Sequence, residues 1–279
     1  MSLKRIIAYF AVAVGILLIA LAILIYPFFR YFFRSETIET DNRLFIITGT
    51  GNSGLLVTDS AVVVIDTKFW RNARELHDMA RKKAGTKKII VINTHFHGDH
   101  VFGNNLYQGS EIYTGGYEKD VANTRTKPEN LPTIFIRDSL ILDLGDEIVG
   151  LYDLGQGQTF HDLVVYLKKR KVLFAGDLVF NQINPSLIKE DGTDIENWKS
   201  ILTRMYKSFD ANTVVPGHGM PGGNELILAQ LIYFNDMEEA ATHPTNAKEL
   251  IKKYAEWMKI PMGSSPEKTI DYIRKTTEK

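Results

Sequence analysis

Residues 6–29, IIAYFAVAVGILLIALAILIYPFF, form an apolar run without a single charge. About twenty such residues span a hydrocarbon core as a helix, so the run predicts a transmembrane helix over about residues 6–29 inside an N-terminal anchor of residues 1–35. Ala20-Leu21-Ala22 has the small-x-small pattern of a signal-peptidase site. Cleavage there would leave a mature end beginning ILIYPFFRYFF, itself strongly apolar, and an uncleaved anchor is the preferred reading.

Beyond the polar connector RSETIETDN the pattern changes to short apolar runs at 44–48, 55–57 and 61–65. Between them lie GTGNSG and TDS, turn chemistry that predicts hairpin strands. Ala73, Leu76, Met79 and Ala80 recur at helical spacing over 72–84 until Gly85 stops the run. KKIIVIN reads as a buried strand ending at Asn93, with further strands at 134–136, 140–142, 148–154, 163–167 and 172–175. Helices are predicted at 195–208 and in a C-terminal helical extension from about residue 224. Strands interspersed with helices, without internal repeat, indicate an α/β domain over residues 36–279.

Bulk charge adds little, since Lys+Arg and Asp+Glu both number 33, and no nucleic acid partner is expected. Its distribution adds more. Lys4, Arg5, Arg30 and Arg34 precede the first acidic residue, Glu36, and the 33 basic residues less those 4 leave 29 against 33 acidic ones in the body. Two basic residues flank the apolar run on each side, and the N-terminal amine tips the balance toward a cytoplasmic N-terminus. The expectation is a single-pass membrane protein, in contact with the lipid bilayer through its first helix, with its α/β domain outside the cytoplasm. The chain has no cysteine, so any metal must be held by histidine, carboxylate or amide groups.

Those groups are concentrated after the strand ending at Asn93. INTHFHGDHVFGN places His95, His97, Asp99 and His100 within six residues. Side chains two apart in an extended loop point the same way, so His95 and His97 suit one ion, and Asp99 and His100 suit a second. THFHGDH resembles the His-x-His-x-Asp-His signature of the metallo-β-lactamase superfamily, with VVIDT at 63–67, VLFAGDLVF at 172–180 and VVPGHG at 214–219 in the family's order. The resemblance implies a four-layer αββα sandwich, two β-sheets face to face with helices outside, and metals at one edge of the sheets. It also implies two zinc ions, iron being the alternative, with His95 and His97 on the first and Asp99, His100 and His218 on the second. Asp177 matches the bridging aspartate of glyoxalase II-type and lactonase-type relatives, where many metallo-β-lactamases of the first subclass have cysteine. That difference disfavours a β-lactam substrate. Asp66 and Thr67 are candidates to support the histidine loop, because ligand imidazoles hand their other N–H to an oxygen.

One position departs from the signature. The family pattern Gly-x-Gly-His-Thr-x-x-Asp is here GQGQTFHD, with Gln158 in the slot of the third ligand to the first metal. Gln158 ligating through its amide oxygen, His161 shifting into the slot, and a weakly filled first site are all open readings. His77 and His243 read as solvated, and Phe69 and Trp70 as core packing ahead of a substrate wall. The function expected is zinc-dependent hydrolysis of an ester, thioester, lactone or amide bond in a small-molecule substrate by an activated water, with Asp99 the catalytic carboxylate. The alternatives are a mononuclear-iron persulfide dioxygenase and a catalytically weakened, membrane-tethered metal-binding protein.

Overall fold

A computed structural model describes residues 2–117, 127–258 and 264–277. Two sheets form the centre of the domain. The larger has seven strands in sequential order, β1 (Thr37–Asp41), β2 (Leu44–Ile47), β3 (Ser53–Val57), β4 (Ala61–Ile65), β5 (Lys88–Ile92), β6 (Glu111–Gly115) and β7 (Ile134–Ile136). The smaller has five, in the order β12 (Thr213–His218), β11 (Val172–Phe180), β10 (Leu163–Leu167), β9 (Ile148–Asp153) and β8 (Ser139–Asp143). Hairpins make the first four strands antiparallel, whereas β4 to β7 run parallel.

Strand β4 shows how the layers are coded. Its alternate residues Ala61, Val63 and Ile65 enter the core between the sheets, where they meet Val165, Phe174 and Val215 of the smaller sheet. Val62 and Val64 point the other way, toward Leu76 and Ala80 of helix α2 (Trp70–Ala84). Because side chains alternate along a strand, an all-apolar strand is one covered on both faces. The outer face of the smaller sheet is covered likewise. Val164, Leu173 and Ala175 pack with Trp198, Leu202 and Met205, from the helix we number α4 (Ile195–Ser208), and with Phe234 and Met237 of α5 (Glu225–Thr242). Helix α3 is the single turn Gly98–Val101, and α6 (Pro244–Lys253) and α7 (Pro266–Thr277) follow α5. The four-layer αββα order is therefore present.

Three elements differ from the sequence expectation. The polar connector contains β1, an edge strand whose Ile38 pairs with Ile46 through a ladder that needs no apolar run of its own. Strand β6 is legible only as one buried stretch, Ile112-Tyr113, between polar neighbours. Strand β11 continues past residue 175 to Phe180, so Asp177 lies within it and not at its end.

At the N-terminus, α1 (Leu3–Phe33) contains a span, Arg5–Tyr26, of mean hydropathy 2.9, long and apolar enough to cross a membrane by length and composition. A signal sequence has the same properties.

Candidate metal centre

Most candidate ligands stand where strands end on one edge of the two sheets, and Asp177 lies within β11. Strand β4 is followed by Asp66, whose backbone is left-handed at φ 57°. Its carboxylate accepts from the Thr94 backbone N–H at 2.8 Å and from the Thr94 hydroxyl at 2.9 Å, and lies 2.8 Å from His100 Nδ1. One carboxylate thus ties the end of β4 to the histidine loop after β5. Thr67 completes the tie, its N–H and hydroxyl both donating to the His100 carbonyl at 2.8 and 3.1 Å. Asn93 donates to the same carbonyl at 3.0 Å, and its amide exchanges hydrogen bonds with Asn104.

These bonds decide which imidazole nitrogens are left for a metal. The Thr94 hydroxyl donates to Asp66, so at its 3.1 Å contact with His95 Nδ1 it must accept. His95 therefore carries its proton on Nδ1 and presents a bare Nε2. His100 donates from Nδ1 to Asp66 and likewise turns Nε2 inward.

Two groups of side chains converge there, His95, His97 and Asp177 in one and Asp99, His100 and His218 in the other, each with its ligand atoms within 4.8 Å of one another. Asp177 faces both. Its Oδ2 lies 3.7 Å from His95 Nε2, while Oδ1 lies 3.2 Å from His100 Nε2 and 3.4 Å from His218 Nε2. Asp99 Oδ2 is 3.3 Å from His218 Nε2. A bulge in β11 aims Asp177: the pairing with β12 shifts register on both sides of Gly176, whose φ of 53° and 2.7 Å clearance to Thr94 admit no side chain.

The donor set passes a simple test of fit for a metal. His95 Nε2, His100 Nε2, Asp177 Oδ1 and Gln158 Oε1 are buried atoms without a hydrogen-bond partner among the described residues. Buried acceptors and lone pairs left so are costly unless cations serve them. Imidazole and carboxylate without thiolate suits zinc, and admits iron.

The charges respond to one another. Burial and the neighbouring His100 hold the His95 imidazole well below its ordinary range, so it stays neutral. Burial acts to lower His218, but Asp177 and Asp99 outweigh it and raise the group to about 9. Burial would raise the carboxyls of Asp99 and Asp177, yet the surrounding imidazoles hold both below the usual carboxylate range.

Gln158 is fully buried at the mouth of the first group, its amide Nε2 donating to His97 Nδ1 at 3.2 Å. Its loop is pinned by Asp162, which accepts from the Gly157 and Thr159 N–H groups and the Thr159 hydroxyl, each at 3.0 Å. Asp162 is a buried carboxyl raised by that burial to about 7. His161 lies elsewhere: its Nδ1 is 3.0 Å from Asp153 Oδ2, and it belongs to neither metal-ligating group. The sequence offered no sign of Asp191, whose Oδ2 accepts from His97 Nε2 at 3.2 Å across 94 positions of chain.

Three other residues differ from expectation or were missed. Phe69 and Trp70 are not core; Trp70 is 44% exposed, and Phe69 lies on Gly98 between two ligand residues. Lys68, absent from any motif, is fully buried, with Nζ donating to the Gly51 and Thr48 carbonyls at 2.6 and 3.3 Å. Burial lowers its ammonium to about 7, although Asp99 and Asp66 act to raise it. His77 packs against Tyr107 and His243 is exposed beside Glu239, both outside the two groups.

Known proteins resemble this chain over the same region. The chain is 27% identical over 218 residues to the metallo-beta-lactamase type 2 of Bacteroides fragilis, covering 75% of this chain and 87% of that one. It is 25% identical over 203 residues to that of Bacillus cereus, covering 71% and 78%. Among solved structures, a metallo-beta-lactamase from Pontibacter korlensis superposes with a TM-score of 0.63 at 22% identity, over 71% of this chain and 98% of the other, a likeness of fold. The family model described as metallo-beta-lactamase superfamily matches residues 46–218, from β2 to the last candidate ligand, and this chain belongs to that superfamily.

Proposed function

We propose that this protein is a membrane-anchored, zinc-dependent hydrolase of an ester, thioester, lactone or amide bond. The observation that carries the reading is Asp177, one carboxylate whose two oxygens face two separate groups of histidine and aspartate. His95, His97, Asp177 and the amide oxygen of Gln158 would hold one ion, and Asp99, His100, His218 and Asp177 the other. Zinc bound there supplies a water acidic enough to attack near neutral pH and an electrophile for the carbonyl oxygen.

The side chains do the rest. Asp66 and Thr94 fix His100 and His95 so that both Nε2 atoms point inward. Asp191 accepts from His97 Nε2 and so orients the ring, leaving Nδ1, which meets the Gln158 amide here, as the nitrogen that would turn to an ion. Asp99, at the rim of the site, accepts the proton of the attacking water and orients its oxygen. That oxygen joins the carbonyl carbon, the bond to the leaving heteroatom breaks, and the leaving group departs with a proton. The relatives named metallo-beta-lactamases put a β-lactam among the amides to be tried. The carboxylate at Asp177, where the resemblance places cysteine in many such enzymes, favours other acyl bonds.

The test is metal analysis of gently purified protein together with a panel of esters, thioesters, lactones and a chromogenic β-lactam. Zinc with turnover of at least one acyl compound, abolished in Asp99→Ala and kept in His77→Ala, supports the proposal. Iron with oxygen consumption points to the dioxygenase alternative. No transition metal above trace, or full turnover in Asp99→Ala, refutes the hydrolase reading.

A further inference from the structure

Contacts along one edge of the domain join the end of the apolar helix to the metal-ligating loop. Helix α1 ends at Phe33, and the next residues touch the turn between β2 and β3: a Cβ on Gly49 would lie 2.7 Å from the Arg34 carbonyl oxygen and 3.4 Å from Ser35 Cα. The Glu36 carbonyl accepts from Thr48 N–H at 2.8 Å, fixing that approach. Two residues further along the turn, a Cβ on Gly51 would lie 2.6 Å from the Asp99 carbonyl oxygen. The chain leaving the helix therefore reaches the ligand loop through a single turn.

The same edge carries an aromatic cluster. Lys68 anchors its base to the β2–β3 turn through the Thr48 and Gly51 carbonyls. Phe69 and Trp70 follow, stacked at 4.9 Å, and Phe102 closes the group at 5.5 Å from Phe69 and 6.4 Å from Trp70. The Phe69 ring lies 3.0 Å from where a Cβ of Gly98 would be, next to Asp99. Asp66, Lys68 and Trp70 all have left-handed backbone, at φ 57°, 58° and 43°. Three such residues within five carry backbone strain, which folds keep where a site needs a particular presentation. What it presents here is the indole of Trp70 toward solvent, on the side where the anchor enters.

We propose that this edge lies against the bilayer, with Trp70 in the headgroup layer, and that the substrate is a membrane-held amphiphile whose apolar chain rests on Phe69, Trp70 and Phe102 while its acyl bond reaches the metal site. The inference deepens the anchored-hydrolase reading and rests on it. Tryptophan suits that layer because its ring is apolar and its N–H polar. Tethering within a few residues holds the mouth of the site at the depth where such a bond resides. Hydrolysis there needs only water, whose oxygen joins the acyl carbon while the leaving group departs with a proton.

The test uses the full chain in phosphatidylcholine vesicles whose acyl chains are brominated near the headgroup, with tryptophan fluorescence as the readout. Among the three tryptophans, Trp198 is fully buried. Quenching in the parent that falls sharply in Trp70→Phe is the expected result; equal quenching in the two proteins, or none, overturns the proposal. In a second arm, the ratio of turnover on long-chain to short-chain acyl esters of one headgroup should fall about tenfold in Trp70→Ala, the scale of one lost aromatic contact. An unchanged ratio overturns the substrate class. Absence of turnover on every ester, thioester, lactone and amide tried refutes the hydrolase reading instead, while quenching still decides whether this edge meets lipid.

Discussion

Replacing Gln158 by leucine should move metal-free stability and metal affinity in opposite directions. The amide oxygen Oε1 is buried without a partner among the described residues, and an acceptor left so costs about 1–3 kcal/mol. The amide nitrogen makes one bond, 3.2 Å to His97 Nδ1, with a net worth of about 0.5–1.5 kcal/mol. Leucine, similar in size, removes both, and the half-buried His97 ring regains its donor from water. Metal-free Gln158→Leu should therefore be between unchanged and about 2 kcal/mol more stable than the parent. With an ion present, the same oxygen is a donor, and losing about 1–3 kcal/mol weakens that site about 5- to 150-fold. The other ion, held by Asp99, His100 and His218, should bind as before. Urea denaturation of chelator-treated protein measures the first quantity, and zinc titration against a competing chelator the second. Destabilisation by more than about 1 kcal/mol with unaltered affinity at both sites would show that Gln158 is a structural amide and no part of a metal site.

Lys68→Met tests the buried lysine through pH. The ammonium falls from its ordinary 10.5 to about 7 on burial, so between those values the unfolded chain binds more protons than the folded one and stability rises with pH. At about 1.36 kcal/mol for each tenfold, the metal-free parent gains up to about 4 kcal/mol relative to Lys68→Met from pH 7 to pH 10. Parallel pH curves from urea melts would refute the buried neutral amine. Gln158→His should raise zinc affinity at the first group, and His161→Ala should leave it within about twofold, since second-sphere partners of ligands shift affinity about 10- to 100-fold and bystanders do not. A collapse of first-site binding in His161→Ala would put that histidine in the slot.

Much of this protein was legible in its sequence, for local reasons. The α/β layering showed because alternating and continuous apolar runs report which strand faces are covered, as β4 does between two cores. The histidine loop showed because its ligands lie within six residues, a spacing that survives without any knowledge of the fold. The apolar span at the N-terminus showed because length and hydropathy alone define it.

What the sequence left open involved contacts between distant segments. The family register of Gly157, Thr159 and Asp162 favours Gln158 over His161 only narrowly; the loop pinned by Asp162 puts the amide beside His97 and swings His161 to Asp153. Asp191 and Lys68 had no motif, because each acts on partners many residues away through burial and hydrogen bonds. The two faces of Asp177 arise from a bulge, a register property of paired strands that one strand's sequence does not contain. Phe69 and Trp70 read as core because aromatic residues after an apolar strand usually bury themselves. Left-handed backbone at Lys68 and Trp70, held by the Lys68 bonds to the neighbouring turn, turns them outward, and only the folded chain settles that conformation.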